Sequence, residues 1–388
     1  MISKRADETK SFIVMDILER AKELEKEGKD VIHLELGEPD FNTPQPIIDA
    51  AIKAMTTGKT SYTHSMGILE LREAISEHYY DKYKVNITPD QILVTSGSSP
   101  AMLIIFQTIL EQSDEFILSN PYYSCYPNFI IGSGGTPIFV EITEDEGFEY
   151  NVEKIKKSIT SKTQGLLINS PSNPTGVILT KKKLIELSQI NLPYIISDEI
   201  YHGLTYSEKE REHSILEFCD HAIVINGFSK TYAMTGWRLG YLIAPKNLIR
   251  PLQRLQQNYF ISANNFVQWA GISALKNTTL EVAEMKKTYN NRRLYMIGRL
   301  KELGFTIKVE PEGAFYVFAN AKAFTSDSKQ FAFSLLENIY LGVAPGIDFG
   351  TGGEGYLRFS YANSLDNIKK ALDRLEKFLK NNNLKRSL

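Results

Sequence analysis

Lys230 lies in the stretch Asn-Gly-Phe-Ser-Lys-Thr-Tyr-Ala-Met-Thr-Gly-Trp-Arg-Leu-Gly-Tyr, residues 226–241, which opens as the apolar run 222–225 ends. An amine held among small and apolar groups loses hydration, which lowers its pKa and frees it to form a Schiff base with a carbonyl. Arg238, eight residues on, can clamp a phosphate. Asp198 ends another apolar run, 192–197. A buried carboxylate there needs a partner, or else it caps the helix that follows. Gly97, Ser98 and Ser99 fill the turn between a strand at 92–95 and an apolar helix at 100–110. Free N–H groups at a helix N-terminus suit an anion. Taken singly, each has a plainer reading: a solvated loop lysine, a structural arginine, an ordinary Gly/Ser turn.

Taken together they converge. Four apolar runs end just before candidate ligand groups: Thr95 before Gly97, Asn169 before Asn173, Ser197 before Asp198, and Asn226 before Lys230. The chain alternates strand and helix from 92 to 244, which predicts an α/β domain with a largely parallel sheet. In such sheets ligands sit outside the carboxyl ends of the strands, so these ends gather at one crevice. Flanking this region, the periodicity predicts helices over 11–28, 46–57 and 68–83, a strand over 31–36, and a largely helical 251–276. A long helix over 280–303 leads to a hairpin of 305–309 with 313–318, a helix over 328–339 and a loop over 342–346. The segment 356–362 alternates Leu357 and Phe359 with Arg358 and Ser360, the period of a half-buried strand. An amphipathic helix over 365–379 and a polar tail over 380–388, read as frayed, follow.

Gly-Phe-Ser-Lys followed by Ala-Met-Thr-Gly-Trp-Arg-Leu-Gly resembles the lysine-attachment signature of the class I pyridoxal-phosphate aminotransferases, and other boxes resemble that family in order from Gly37 to Arg358. The resemblance implies fold type I: a large α/β/α domain with a mostly parallel mixed sheet, residues 46–284, and a smaller α+β domain built from 1–45 and 285–388. It implies pyridoxal 5′-phosphate held by Lys230 as a Schiff base, with Arg238, Ser98, Ser99 and Gly97 around the phosphate and Ser229 among the cofactor-binding residues. Tyr123 stacks on the ring, while Asp198 pairs with the ring nitrogen. Asn173 and Tyr201 flank the phenolic oxygen. Arg358 takes the substrate carboxylate, near the backbone of Gly37 in Gly-Glu-Pro-Asp-Phe. Tyr122 and Tyr126 remain core or interface aromatics on an equal footing with Tyr123. Tyr62 is implied to reach the other subunit's phosphate across a homodimer.

The implied activity is transamination between an amino acid and a 2-oxo acid, with Lys230 as proton shuttle. A lyase on the same cofactor is the alternative, since fold does not fix function. A regulator is less expected, because no DNA-binding extension is apparent before residue 1 or after the last helix. Neither the position of Ser99 nor the segment 256–262 carries the basic residue of some aspartate-preferring relatives. An aromatic or aliphatic donor is therefore expected over a dicarboxylic one, with 2-oxoglutarate a common acceptor.

The rest of the chain agrees. It has 388 residues, enough for about two or three domains. Its net charge of −2 gives no general pull towards nucleic acid or an anionic membrane. No metal-ligand spacing is present, and Cys125 and Cys219 offer no disulfide framework, which with the absence of a signal-like apolar core predicts a cytoplasmic protein.

Overall fold

The computed structural model describes residues 2, 6, 7, 9, 11–207 and 211–382; the tail read as frayed lies, from 383 on, outside them. Twelve strands are present among the described residues. They are β1 (Ile32–His33), β2 (Ile92–Thr95), β3 (Glu115–Asn120), β4 (Thr136–Glu141), β5 (Thr163–Asn169), β6 (Tyr194–Asp198), β7 (Ile223–Gly227), β8 (Gly240–Ile243), β9 (Tyr316–Asn320), β10 (Leu341–Gly342), β11 (Ala344–Pro345) and β12 (Tyr356–Ser360).

Seven of them form one sheet in the order β2-β8-β7-β6-β5-β3-β4. Only β8 runs against its neighbours, pairing antiparallel with both β7 and β2. The carboxyl ends of β2, β5, β6 and β7 therefore share one edge. Alternate side chains feed two cores, one on each face. Leu166, Ile168, Ile195 and Val224 pack with Leu71, Ile75 and Tyr79, whereas Leu167, Ile196, Ile223 and Ile225 pack with Ile104, Ile105 and Leu252. Burial on both faces is why these strands read as unbroken apolar runs.

A second body of structure surrounds the antiparallel sheet β11-β12-β9 and the parallel pair β1-β10. Its core joins Ile17, Ala21, Leu24 and Leu34 to Phe315, Leu357, Phe359, Leu372 and Leu375. The helices Ile13–Lys26, Ser328–Ile339 and Leu365–Asn381 cover it.

Several expectations change. The loop expected over 342–346 instead holds the end of β10 and all of β11, because β1 and β12 offer them ladders. The strand expected over 31–36 is reduced to β1, because beyond it the backbone turns its carbonyls to side chains: Glu35 O accepts from Arg358 and Gly37 O from Lys230. The hairpin of 305–309 with 313–318 shrinks to a bridge between Thr306 and Asn320, since β9 finds its ladder in β12. The helical 251–276 is two helices, Lys246–Tyr259 and Asn265–Asn277, broken where Ile261 takes φ 62°. Finally β12 is buried throughout, not half-buried, so its polar positions face a second interior.

Candidate active site

The shared strand edge and the second sheet enclose a cavity of about 340 Å³. Gly37, Ser98, Ser99, Tyr123, Asn173, Asp198, Tyr201, Ser229, Lys230, Arg238 and Arg358 all line it. Gly97 stands beside it, against Arg238. Tyr62 does not join them, for its ring is 80% exposed on the outer surface.

The helix Ser98–Ile109 begins two residues earlier than its sequence suggests, so Ser98 and Ser99 are its first residues and Gly97 is its cap. No side chain caps it, which leaves its first N–H groups open. Gly97 adopts φ 106°, a conformation that favours glycine. A Cβ there would lie 2.6 Å from Arg238 Nη2, so turn and guanidinium form one concave cradle. Arg238 is steadied by a 3.0 Å bond from Nη1 to Thr235 O. Open N–H groups beside a cation make an anion site.

Asp198 is 3% exposed. Its Oδ2 accepts from Tyr126 Oη at 2.7 Å and its Oδ1 from the Ile200 amide at 3.2 Å. Burial raises its pKa to about 6 against the opposing pull of these donors and of Lys230. Asn169 bonds the Asp198 carbonyl through Nδ2 at 2.9 Å, and its Oδ1 accepts from the Asn173 amide at 2.8 Å. The ends of β5 and β6 are thereby tied together.

Lys230 Nζ donates to Gly37 O at 2.6 Å. Burial lowers its pKa to about 8; Glu38 works against the shift, while Arg358 and Arg238 reinforce it. A neutral amine is thus accessible near neutral pH.

Arg358, 2% exposed, is held on three sides. Nη1 donates to Asn173 Oδ1 at 2.8 Å and Nη2 to Glu35 O at 2.6 Å. Its guanidinium lies 4.2 Å from the centre of the Tyr316 ring and 4.8 Å from that of Phe349. Nε is buried without a hydrogen-bond partner, an open donor.

Several contributors escaped sequence reasoning. Tyr316 Oη lies 2.9 Å from Tyr201 Oη and no box flags it. Tyr126 was indistinguishable from its tyrosine neighbours. Phe12, Val14 and Met15 line the cavity from the start of the first helix, and they lie off the apolar period of Ile13, Ile17, Leu18, Ala21 and Leu24. Asp348 bonds the Ile13 amide at 2.9 Å and the Val14 amide at 3.4 Å, fixing that helix end from 335 residues away.

Among the described residues no helix is long and apolar enough to cross a membrane. Residues 29–375 match the family described as Aminotransferase class I and II. A (5-formylfuran-3-yl)methyl phosphate transaminase of Methanocaldococcus jannaschii is 47% identical, over 98% of this chain and 100% of its own length. The aspartate aminotransferase of Bacillus subtilis is 38% identical over 97% and 98%. Among solved structures, the aspartate aminotransferase of Thermus thermophilus with maleate has a TM-score of 0.93 at 35% identity, covering 97% of this chain and 99% of that one. A Methanococcus jannaschii structure, described as similar in its active site to kynurenine aminotransferases, has a TM-score of 0.91 at 46% identity over 98% and 100%. With a family match across most of its length and relatives of this closeness, the chain belongs to the class I and II aminotransferases, pyridoxal-phosphate-dependent enzymes of fold type I that pass an amino group from an amino acid to a 2-oxo acid.

Proposed function

We propose that Lys230 carries the cofactor as a Schiff base and moves the transferred proton, and that the preferred substrates combine one anionic group with an apolar or aromatic body. The observation that carries the assignment is that Lys230, Asp198, Asn173, Arg238 and Arg358 line one cavity.

The residues fit pyridoxal phosphate in three respects. The Gly97, Ser98, Ser99 and Arg238 cradle, with Ser229 beside it, suits the phosphate. Asp198, buried with hydrogen-bond donors but, among the described residues, no ion-pair partner at its carboxylate, suits a protonated ring nitrogen. Tyr123 offers a ring face, and Tyr201 with Asn173 offers donors for the phenolic oxygen. When bound, the cofactor supplies an electron sink that acidifies the substrate Cα–H and stores the amino group between half-reactions. Lys230, as its neutral amine, would take the proton from that Cα and, as the ammonium, would deliver it to the cofactor's C4′ carbon. Arg358 holds the substrate's anion through Nε and its remaining N–H groups, with the rings of Tyr316 and Phe349 packed 4.2 and 4.8 Å from its guanidinium.

Substrate choice follows from what lines the remaining wall. Phe12, Val14, Met15 and Leu36 are apolar, and the described cations lining the cavity are Lys230, Arg238 and Arg358, each already assigned. No fourth among them serves a second carboxylate, which favours aromatic or aliphatic donors over dicarboxylic ones. A phosphorylated furan aldehyde, named for the 47% identical relative, meets the same description as an acceptor, with a flat ring and a single anionic group.

Single half-reactions test this. Phenylalanine, leucine, alanine, aspartate and glutamate are each mixed with loaded enzyme, and conversion of the cofactor to its amine form is followed by absorbance. Discharge by 2-oxoglutarate or by (5-formylfuran-3-yl)methyl phosphate is then measured. Faster conversion by aspartate or glutamate than by every apolar donor would overturn the substrate class; steady ammonia release would point to a lyase.

The same reading assigns residues 46–284 to the large domain and 1–45 with 285–388 to the small one, supported by the joint core of Ile17, Leu24 and Leu34 with Leu357 and Leu372. A homodimer is supported by exposed Tyr62, Tyr259 and Ile261, with Thr63 and Ser262 bonded at 3.4 Å between their segments. Monomeric sedimentation at working concentration would remove it. Free Cys125 and Cys219 support a cytoplasmic setting, which cell fractionation checks.

A further inference from the structure

Glu35 is wholly buried on the segment that follows β1. Its Oε1 lies 2.6 Å from His33 Nδ1, while its Oε2 is buried without a partner. His33, half-buried, reaches on through Nε2 to Glu25 Oε1 at 3.1 Å, on the helix Ile13–Lys26. Glu25 in turn pairs with Lys22 at 2.7 Å. The result is a line from surface to interior: Lys22, Glu25, His33, Glu35. Among the described residues His33 is the one ion-pair partner of the Glu35 carboxylate. Gly342, Cα partner of His33 in the β1-β10 pair, makes room for it, since a Cβ there would overlap Glu35 Oε2.

The same short segment supplies two backbone acceptors to the cavity. Glu35 O receives Arg358 Nη2 at 2.6 Å, and Gly37 O receives Lys230 Nζ at 2.6 Å. Its own position is set by few bonds: Leu34 N to Gly342 O at 2.9 Å, Ser360 N to Leu34 O at 2.7 Å, and Asn363 Nδ2 to His33 O at 2.9 Å. A buried carboxylate that lost its only cation would drive this segment to rearrange toward water or protonation, because an unpaired buried charge is costly. Any such shift moves the Glu35 carbonyl, and with it the guanidinium.

We infer that the Glu25–His33–Glu35 line is a positioning device for substrate binding: imidazolium at His33 holds Glu35 in place, and the Glu35 carbonyl then aims Arg358. The device rests on the assignment of Arg358 as the substrate's anion anchor. His33 and Glu35 touch neither substrate nor cofactor and are positioning residues. The groups that face His33 are Glu35 on its own segment and Glu25 across from it, and both favour the protonated ring. The Glu35 hydrogen bond is the largest influence, raising the His33 pKa against the opposing effect of burial. The imidazolium therefore persists above the ordinary histidine range and is lost at higher pH. KM for the amino donor should rise there.

The test compares His33→Gln, Glu35→Gln, the double variant and Arg358→Ala as loaded enzymes, measuring kcat and KM for the best donor across pH, with melting temperature as a control. His33→Gln should raise KM about tenfold with kcat within about twofold. Glu35→Gln, isosteric and uncharged, should abolish the alkaline rise in KM, and the double variant should recover most of the affinity that His33→Gln loses. An unchanged KM in His33→Gln, or a double variant no better than it, overturns the device if Arg358→Ala weakens the donor strongly. Should Arg358→Ala leave KM unchanged, the anchor assignment itself fails. If His33→Gln does not fold, the pH profile of Glu35→Gln decides: an alkaline rise as large as that of the unaltered enzyme overturns the proposal.

Discussion

Arg358 on β12 donates from Nη1 to Asn173 Oδ1 at 2.8 Å, joining the small antiparallel sheet to the loop that leaves β5 of the large one. The site is therefore closed by a bond between the two sheets. Asn173→Ala would leave one guanidinium N–H buried without an acceptor, a cost of about 1.5–3 kcal/mol for a charged donor. KM for amino donors should rise by roughly ten- to a hundredfold. Steady-state kinetics check this, and an unchanged KM would show that Arg358 keeps its aim without Asn173.

The acidic limb of cofactor retention belongs to Asp198 and Tyr126. Burial holds the Asp198 pKa near 6, so below that pH the carboxyl is neutral and pairs poorly with a ring cation. Tyr126→Phe removes a donor that pulls the value down, so cofactor should be lost at higher pH than in the unaltered enzyme. Dialysis followed by absorbance across about pH 5–8 reads the shift.

Asp198 also makes cofactor-free protein pH-sensitive. Its folded pKa is raised above an unfolded value near 4, so the stability it contributes is complete below about pH 4 and is lost as pH rises through about 6. Asp198→Asn should therefore stabilise the cofactor-free protein above that pH, by on the order of 2–3 kcal/mol, while weakening cofactor binding. Urea melts of both forms at several pH values measure it. Equal melts at pH 8 would contradict the assigned burial cost.

Lys230 gives a test on the alkaline side. With its pKa lowered to about 8, the nucleophilic free-amine fraction grows as pH rises through that value. Covalent loading of cofactor-free enzyme with pyridoxal phosphate should accelerate between about pH 7 and 9 and then level off. A rate flat across that range would mean the amine is not rate-determining. Lys230→Ala should lose turnover by about a thousandfold or more and show no lysine-linked absorbance.

Gly97→Ala probes the phosphate cradle. The new methyl would meet Arg238 Nη2, and φ 106° strains any residue with a side chain. Cofactor affinity should fall by roughly tenfold, or about 1.4 kcal/mol, with KM for the donor at saturating cofactor little altered. Fluorescence titration of cofactor-free variant measures this, and unchanged affinity would remove Gly97 from the cradle.

Much of this molecule was legible from residue pattern because the relevant forces act at short range. Apolar runs closed by Gly, Ser, Asn or Asp mark β2, β5, β6 and β7, and the rule that parallel strands present ligands at their carboxyl ends is enough to bring Lys230, Asp198 and Asn173 together. Tertiary contact decided what pattern cannot encode. Arg358 read as one face of a half-buried strand, yet β9 and β11 flank β12 and give its polar side a second interior. Tyr126, one of several tyrosines in a row, became the partner of Asp198 only through the turn after β3. The cavity wall from Phe12 to Met15 depends on Asp348, whose distance along the chain leaves no local periodicity to betray it. Residues close in sequence share a helix or strand and so leave a period; residues brought together by folding leave none.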